Sequence, residues 1–261
     1  MLKIYQVDAF TKRIFGGNPA AVIPLQNWLA DATLQAIAEE NNLSETAFFV
    51  QKADHFALRW FTPVAEVDLC GHATLASAHV LFQHLNYTEK EILFHTKSGI
   101  LSVQQNDDFY CMNFPSDSVQ TAAKPDYLED ALGISVQEFY RGKDDFLAII
   151  DNETQVRMLQ PNFSLLHQLT SRGLIVSAKG EKVDFVSRCF FPKLSIDEDP
   201  VTGSAHTLLT PYWAKKLGKN DLHAKQISKR SGELRCIRKG ERVELYGEAV
   251  TYMEGSLQIK N

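Results

Sequence analysis

The chain contains the stretch Phe56-Ala-Leu-Arg-Trp-Phe-Thr-Pro63, running on to Asp68-Leu-Cys-Gly-His-Ala-Thr-Leu-Ala76. Without a gap, the same pattern returns as Phe185-Val-Ser-Arg-Cys-Phe-Phe-Pro192, running on to Asp197-Glu-Asp-Pro-Val-Thr-Gly-Ser-Ala205. Unrelated segments of this length should share roughly one or two identical positions. The identical pairs here are Phe56/Phe185, Arg59/Arg188, Phe61/Phe190, Pro63/Pro192, Asp68/Asp197 and Ala76/Ala205. The repeat therefore predicts a duplicated unit.

The gapless alignment places Cys70 opposite Asp199. Each residue follows a strand-like run and precedes a helix-like one. We expect a cleft between the two halves to receive one ionisable group from each side, because small-molecule sites tend to form in such clefts.

The length of the chain agrees with two domains. Its 261 residues and 29.4 kDa suit two domains of about 100–150 residues each. Between Pro115 and Pro125 the sequence turns to Ser, Asp, Thr and Pro, which is typical of a linker. We predict an N-terminal domain over 1–114 and a C-terminal domain over 118–261, and leave open whether the last strand returns to the first half.

The periodicity predicts an α+β fold. Strand-like runs dominate, and one of them covers residues 156–158. The helix that begins at Ala73 carries small or apolar residues nearly all round, as expected of a helix enclosed by a sheet. Each half is thus predicted to be a mixed sheet curled around a central helix, and not a doubly wound sheet. The predicted helices cover residues 31–40, 73–84, 127–132 and 204–217.

Composition excludes several classes of function. The net charge is -5, and no basic run is interleaved with aromatic residues, so a nucleic-acid partner is not expected. No apolar stretch approaches the ~20 residues that span a bilayer, and residues 1–8 alternate like a strand, so we expect a cytoplasmic protein. The four cysteines contain no C-x-x-C pair, which argues against a zinc site.

The two predicted helix starts are candidate anion sites. Cys70-Gly71-His72 and Asp199-Pro200-Val201-Thr202-Gly203-Ser204 put glycine and small polar residues where free N–H groups and the helix dipole favour a carboxylate. A thiol at such a position should have a lowered pKa. The alternative is structural, with Asp199 and Thr202 as N-cap residues and Cys70 as a buried filler. The occurrence of the pattern twice favours function.

Glu45 is the candidate acid–base group. It lies between a helix end and the apolar run Ala47–Val50, where loss of hydration would raise its pKa and let it take and return a proton. The alternative is a solvated turn residue, the more frequent case for a glutamate. His72 could relay a proton or be a packing group. Asn18 lies in the turn Phe15–Ala20, which could form a rim of the pocket.

Motifs for nucleotide, nicotinamide, zinc-protease and serine-hydrolase chemistry are missing from the sequence. The remaining chemistry is a reaction without a cofactor. Proton transfer at a carbon next to a carboxylate or amine needs only an acid, a base and groups that hold an anion.

Four separated motifs resemble the phenazine-biosynthesis PhzF-like family, in order and over nearly the whole chain. The resemblance implies a diaminopimelate-epimerase-like fold, in which two pseudo-symmetric halves enclose the active site, and a homodimer. The motifs are Asp8-Ala-Phe-Thr11 with Phe15-Gly-Gly-Asn-Pro-Ala-Ala-Val22, Asn42-Leu-Ser-Glu-Thr-Ala-Phe48, Cys70-Gly-His-Ala-Thr-Leu-Ala76 and Asp199-Pro-Val-Thr-Gly-Ser-Ala205.

The resemblance also implies roles for individual residues. In the family's phenazine enzyme, the glutamate that matches Glu45 moves a proton between carbons of a dihydro-hydroxyanthranilate. The positions that match Gly71, His72, Asp199 and Ser204 line the substrate there. The sequence departs from related racemases of this fold, which carry Cys-Gly at both helix starts, because Asp199 stands opposite Cys70. A mechanism with two thiols is therefore disfavoured.

Three hypotheses follow. The leading one is an isomerase without a cofactor or metal that moves a proton on a small carboxylate-bearing substrate. The others are an amino-acid epimerase that depends on Cys70, and a small-molecule binding protein without activity. The predicted catalytic residues are Glu45, His72 and Asp199, and the predicted substrate-binding residues are Asn18, Cys70, Gly71, Thr202, Gly203 and Ser204.

Overall fold

The structure is a computed structural model, and it describes residues 1–194 and 196–259. The elements of the first part of the chain are β1 (Leu2–Ala9), β2 (Asn18–Leu25), α1 (Asp31–Asn41), β3 (Glu45–Gln51), β4 (Phe56–Phe61), β5 (Glu66–Val67), α2 (Gly71–His84), β6 (Glu91–Thr96), β7 (Gly99–Asn106) and β8 (Phe109–Pro115).

The second part of the chain continues with further strands and helices. Its elements are β9 (Gln120–Thr121), α3 (Leu128–Leu132), β10 (Glu138–Arg141), β11 (Phe146–Ile149), α4 (Glu153–Met158), α5 (Phe163–Leu166), β12 (Leu174–Lys179), β13 (Phe185–Phe191), a 3₁₀ turn (Pro192–Leu194), β14 (Ile196–Asp199), α6 (Gly203–Leu217), β15 (Asp221–Gln226), β16 (Gly232–Lys239), β17 (Arg242–Gly247) and β18 (Ala249–Leu257).

The chain forms two compact units. Unit 1 consists of Met1–Asn113 with Tyr246–Asn261, and unit 2 of Phe114–Leu245. This division differs from the predicted C-terminal domain 118–261 in one respect. The segment that begins at Tyr246 belongs to unit 1, and not to unit 2. The reason is the pairing of β18, which runs antiparallel to β1 from Leu2↔Leu257 to Ala9↔Ala249.

Unit 1 is a mixed sheet around α2. Its strands pair in the order β18–β1–β2–β3–β4–β6–β7–β8, with β5 also on β4; β2–β3 and β4–β6 are parallel. In α2 every residue from His72 to Leu81 is buried. An apolar helix without a polar stripe must be covered on all sides, and the prediction of a central helix is confirmed.

Unit 2 repeats this succession of pairings. Its strands pair in the order β9–β10–β11–β12–β13–β15–β16, with β14 on β13; β11–β12 and β13–β15 are parallel. The α+β class and the duplication are therefore confirmed. None of the helices in the described part of the chain is long and apolar enough to cross a membrane.

One predicted strand is wrong. Residues 156–158 belong to helix α4, and not to a strand. The amide oxygen of Asn152 accepts a hydrogen bond from the backbone N–H of Gln155, which caps the helix. Because the three residues Val156-Arg-Met158 fit either structure, the cap decides between them. The helices predicted over 31–40, 73–84, 127–132 and 204–217 are confirmed.

An arginine–glutamate pair occurs at matching places in the two units. In unit 1, Nε and Nη2 of Arg59 donate to the two carboxylate oxygens of Glu66 at 2.7 and 2.9 Å. In unit 2, Arg188 and Glu198 make the same two bonds at the same two distances. Each arginine also lies 5.1 Å from the ring of the phenylalanine two residues later. The partners are seven residues apart in unit 1 and ten in unit 2.

The different spacing corrects the gapless alignment. Unit 2 has three more residues between the strand and the helix, where the 3₁₀ turn Pro192–Leu194 lies. The N-cap residues of the two central helices are Cys70 and Thr202. Cys70 therefore corresponds to Thr202, and the prediction that it stands opposite Asp199 is wrong. Asp199 corresponds to Val67, since each pairs with the matching residue of the preceding strand.

We predict that the Arg188–Glu198 pair stabilises unit 2. The Arg188→Met substitution keeps the length of the side chain but leaves the Glu198 carboxylate, which is 20% exposed, without its partner. The free energy of unfolding should fall by about 3 kcal/mol, as for other pairs largely removed from water. Urea unfolding measures it, and adding Glu198→Gln should restore part of the loss.

The matched control is Arg235→Met, which breaks an exposed bidentate pair with Asp221. That change should cost less than about 1 kcal/mol. Equal losses in the two variants would contradict the stabilising role of the Arg188 pair.

His79 joins three elements of unit 1. It lies on α2, and its Nδ1 is 3.0 Å from the hydroxyl of Tyr110 on β8. Its Nε2 is 2.9 Å from the hydroxyl of Thr251 on β18. Burial, with a smaller contribution from His84, lowers the pKa of His79 to about 4. The side chain is therefore neutral in the folded protein near pH 6, where an unfolded histidine is largely protonated.

This pKa predicts a loss of stability in mild acid. The unfolded chain binds more protons at His79 than the folded protein does, so the unfolding free energy is highest above pH 6.5 and falls as the pH drops toward 4. The expected slope is about 1.4 kcal/mol per pH unit from this residue. Urea unfolding at a series of pH values should show a smaller slope for His79→Gln, and an unchanged one for His167→Gln, whose side chain is exposed. Identical slopes in both variants would contradict the prediction.

Candidate active site

Glu45 begins β3 and points into unit 1. The chain leaves α1 at Asn42, which takes the left-handed conformation with φ of 49° and turns the backbone toward the strand. β3 then pairs parallel to β2, with Glu45 beside Ala20. The Glu45 side chain is only 14% exposed. The predicted location of a carboxylate between a helix end and an apolar strand is confirmed.

His72 and Cys70 lie against this carboxylate at the start of α2. Nε2 of His72 is 3.1 Å from Oε2 of Glu45. The Sγ atom of Cys70 is 3.5 Å from Nδ1 of the same ring. Both side chains are buried. The structure thus brings together two predicted catalytic residues and one predicted substrate-binding residue, with Gly71 as the first residue of the helix.

Asn18 completes the cluster. It follows Gly17, whose φ of +59° and close approach to the carbonyl oxygen of Ala9 leave no room for a side chain; a Cβ atom would lie 2.0 Å from that oxygen. The turn delivers the Asn18 amide to the imidazole, with Nδ2 3.2 Å from Nδ1 of His72. Asn18 is fully buried. In this structure it contacts His72, while a contact with substrate stays a prediction.

The geometry of the cluster suits proton transfer better than metal binding. One ligand-type atom from each of Glu45, Cys70 and His72 lies within 4.8 Å of the others, a spacing that a metal ion could use. However, the thiol faces Nδ1 of the imidazole and the carboxylate faces Nε2. The lone pairs of the two nitrogens diverge, so a single ion could not use both contacts as they stand. The ring instead connects a thiol to a carboxylate.

The acid–base properties of the cluster follow from its burial. Burial raises the pKa of Cys70 to about 11, and the nearby Glu45 carboxylate adds to the effect. The expectation of a lowered thiol pKa at the helix start is wrong, because loss of hydration outweighs the helix dipole. For His72, burial opposes protonation, but Cys70 and Glu45 more than offset it and hold the pKa well above its usual value.

The predicted residues of unit 2 form a second cluster, at the start of α6. Asp199 ends β14, and its Oδ2 accepts a hydrogen bond of 2.5 Å from the hydroxyl of Thr202. Gln226 holds the same segment: its Oε1 accepts from the backbone N–H of Thr202 at 2.8 Å, and its Nε2 donates to the carbonyl of Asp199 at 2.7 Å. The hydroxyl of Thr202 also accepts from Nε2 of Gln226 at 3.2 Å. Gln226 is fully buried.

Ser204 has a partner that the sequence did not indicate. Nη2 of Arg172 donates to the Ser204 hydroxyl at 3.2 Å, and Arg172 also makes two bonds to Asp145. Arg172, Asp145 and Gln226 were missed because they lie far from the helix start in the sequence and belong to no motif. Strand pairing could have indicated Gln226, because β15 runs parallel to β13 and ends at Gln226, which pairs with Ser187.

The helix starts share one further feature. The side chains of both N-cap residues, Cys70 and Thr202, make no capping hydrogen bond. The backbone N–H groups of the first turn of each helix can therefore still bind an anion, as expected from the sequence. In unit 2 one of these groups belongs to Gly203. That the cluster of unit 1 and the cluster of unit 2 serve one substrate stays a prediction.

Comparisons with known proteins identify the family of the chain. The model of a family described as "Phenazine biosynthesis-like protein" (PhzC-PhzF) matches residues 7–255. An uncharacterized isomerase of Pseudomonas aeruginosa is 51% identical over 258 residues, which cover 99% of each chain. The crystal structure of a PhzF family protein of Enterococcus faecalis has a TM-score of 0.97 and 46% identity, with 99% of each chain covered.

A more distant structure supports the fold alone. A protein of Pseudomonas aeruginosa described as a predicted epimerase has a TM-score of 0.78 at 20% identity, with 100% of each chain covered. Two sheets, each around a central helix, are thus an arrangement that epimerase-like proteins share with this chain. The chain belongs to the PhzC-PhzF family of phenazine biosynthesis-like proteins, and it is a PhzF-like isomerase.

Proposed function

We propose that this isomerase moves a proton between two positions of a small carboxylate-bearing substrate, with Glu45 as the group that takes and returns the proton. A C–H bond of the substrate breaks and its proton binds to the Glu45 carboxylate. The electron pair of that bond is delocalised into the conjugated double bonds of the substrate. The same proton, or one from solvent, then forms a C–H bond elsewhere. The product has the composition of the substrate, so the reaction needs no oxidant or reductant.

The contact between Glu45 and His72 is the observation that carries this proposal. The two atoms are at ion-pair distance, 3.1 Å, but their angle is not that of a hydrogen bond, and neither atom has another hydrogen-bond partner within the described residues. A carboxylate oxygen that makes no hydrogen bond in the folded protein keeps its lone pairs available to a substrate. It can therefore accept a proton from carbon.

The duplication supports a mechanism with one base. In the strand pairing of unit 2, the position that corresponds to Glu45 is Gly173, because Thr46 pairs with Phe61 as Leu174 pairs with Phe190. A Cβ atom at Gly173 would lie 2.2 Å from the ring of Phe191. Unit 2 therefore offers no side chain in place of the glutamate. A single residue that both takes and returns the proton fits this asymmetry.

A carboxylate on the substrate is supported by the helix start of unit 1. The first N–H groups of α2, beginning at Gly71, carry partial positive charge and no side-chain cap. A substrate carboxylate bound there would lie next to Glu45 and His72. His72, with a proton on its ring, would stabilise the negative charge that develops as the C–H bond breaks.

The cluster of unit 2 is proposed to take part in substrate binding. The N–H groups at Gly203 and the hydroxyl of Ser204 can bind polar substrate groups, and Thr202 keeps Asp199 oriented through its short hydrogen bond. We propose that Asp199 binds polar groups of the substrate and relays protons at those groups, while Glu45 alone takes and returns the proton of the C–H bond. The absence of a cofactor, homodimeric assembly and a cytoplasmic location stay predictions.

The Glu45→Gln variant is the direct test. The amide has the shape of the carboxylate but cannot accept a proton, so incorporation of solvent deuterium into the substrate should fall by about 10²–10⁴-fold. The assay follows deuterium uptake by mass spectrometry in D₂O with dihydro-hydroxyanthranilate and a panel of α-amino acids. Binding, measured by calorimetry, should persist.

The matched control is Glu40→Gln, at an exposed glutamate of α1. This variant should exchange deuterium at the wild-type rate. Unchanged exchange in Glu45→Gln would overturn the proposal, and absence of exchange in the wild type over the whole panel, with binding intact, would favour a binding protein.

The alternative of a thiol-dependent epimerase gives an opposite expectation for Cys70. Because burial raises the pKa of this thiol to about 11, fewer than about one thiol in a thousand is ionised at pH 7.5. Iodoacetamide should therefore label Cys70 slowly, at a rate that increases about tenfold per pH unit up to pH 10. Mass spectrometry of the labelled peptide measures it. Fast labelling at pH 7.5, together with loss of activity, would instead support the epimerase.

A further inference from the structure

The Nδ1 atom of His72 faces two hydrogen-bond donors. The amide Nδ2 of Asn18 lies 3.2 Å from it, and the Sγ of Cys70 lies 3.5 Å from it. An amide NH₂ group has hydrogens and no lone pair to offer. In the neutral ring, the nitrogen opposite such a group acts as the acceptor, so it does not carry the ring proton.

The opposite edge of the ring is the one that meets the carboxylate. A neutral imidazole carries its proton on one nitrogen only. With Nδ1 as the acceptor, the proton lies on Nε2, 3.1 Å from Oε2 of Glu45. The other tautomer would turn a lone pair toward a carboxylate oxygen and an N–H toward an NH₂ group, so it would be repelled at both edges.

We propose that Asn18 and Cys70 are positioning residues that keep the ring proton of His72 on Nε2, where it faces Glu45. The inference deepens the proposed function and rests on it in one respect, since Glu45 is taken as the residue that carries the substrate proton. Asn18 and Cys70 touch His72, and act on the reaction through it.

The chemistry of Cys70 agrees with this role. A neutral thiol can donate to Nδ1, whereas a thiolate can only accept. The thiol is fully enclosed, and its closest charged neighbours are Glu45 and His72. A second negative charge beside Glu45 would be costly in this setting. The thiol therefore remains a donor around neutral pH.

At the corresponding position in unit 2, a buried amide also fixes the direction of a hydrogen bond, but with different residues. Thr202 corresponds to Cys70, and its hydroxyl accepts from Gln226 and donates to Asp199. In that cluster the donor direction is fixed by a buried amide, as Asn18 fixes it at His72. Both units therefore use a primary amide to orient a small side chain, or a ring, at the start of the central helix.

The placement of the proton affects the reaction at Glu45. An N–H group at Nε2, 3.1 Å from Oε2, supplies positive potential where charge develops. Removing that group should lower kcat more than it weakens binding, because the contact strengthens in the transition state.

The test is a direct observation of the ring nitrogens. Full-length protein labelled with ¹⁵N-histidine is studied by two-bond ¹H–¹⁵N correlation NMR between pH 6 and 9, with the His72→Gln variant used to assign the signal. The expected result for the wild type is a ring proton on Nε2, with Nδ1 unprotonated, over the pH range in which the imidazole is neutral. A proton on Nδ1 of the neutral ring, or a ring that stays protonated on both nitrogens up to pH 9, would overturn the inference.

Four variants make the test independent of folding. Asn18→Asp has the same shape but replaces the donor by an acceptor, so Nδ1 should gain a proton and kcat should fall about 10- to 100-fold. Cys70→Ala removes the weaker donor and should lower kcat less, with recovery in Cys70→Ser, whose hydroxyl can donate again. Cys236→Ala removes a buried thiol of unit 2 and should change neither signal nor kcat.

The outcomes separate the inference from the proposed function. If Glu45→Gln keeps its deuterium exchange, the proposed function fails whatever the tautomer. If Glu45→Gln is inactive but Asn18→Asp and Cys70→Ala have wild-type kcat, or if Asn18→Asp leaves Nδ1 unprotonated, the positioning role fails and the proposed function stands. Circular dichroism of each variant confirms that it is folded.

Discussion

The enclosure of helix α2 is the constraint from which the site of unit 1 follows. A helix buried from His72 to Leu81 must begin inside the sheet, so its first turn cannot rely on water. The polar side chains at that turn have to find partners on neighbouring strands. Glu45 at the start of β3 and Asn18 at the start of β2 supply them. The packing that stabilises the unit thus also creates a poorly hydrated carboxylate.

The same enclosure decides between two kinds of chemistry. A helix N-terminus lowers the pKa of a thiol when the thiol keeps contact with water. At Cys70, burial and the neighbouring carboxylate reverse the effect. In the proposed mechanism the carboxylate next to the imidazole is the base, while the thiol remains a neutral donor. Burial therefore favours Glu45 over Cys70 as the reactive group, although both lie in one cluster.

The sequence predicts what depends on local pattern. The duplication, the central helices and the residues of the two helix starts are visible as repeats and periodicity, and Glu45 is visible as a carboxylate before an apolar strand. What depends on distant pairing is not visible. The three additional residues of unit 2, around Pro192–Leu194, follow β13, so a gapless alignment is right up to the end of that strand and wrong after it. The pairing of the strands brings Arg172 and Gln226 to the start of α6. The burial of Cys70, which sets its pKa, is likewise a property of the packed unit.

The two units show how a duplicated scaffold can carry unequal chemistry. The arginine–glutamate pair is kept in both, with the same distances, because it holds the strand before the helix. The helix starts differ: unit 1 has Cys70 and His72 beside Glu45, whereas unit 2 has Thr202 and Ser204, with Gly173 in place of the glutamate. Since Phe191 occupies the space beside Gly173, a carboxylate there would require repacking of the core. The scaffold therefore confines the glutamate to one unit, and packing excludes a symmetric pair of glutamates at these two positions.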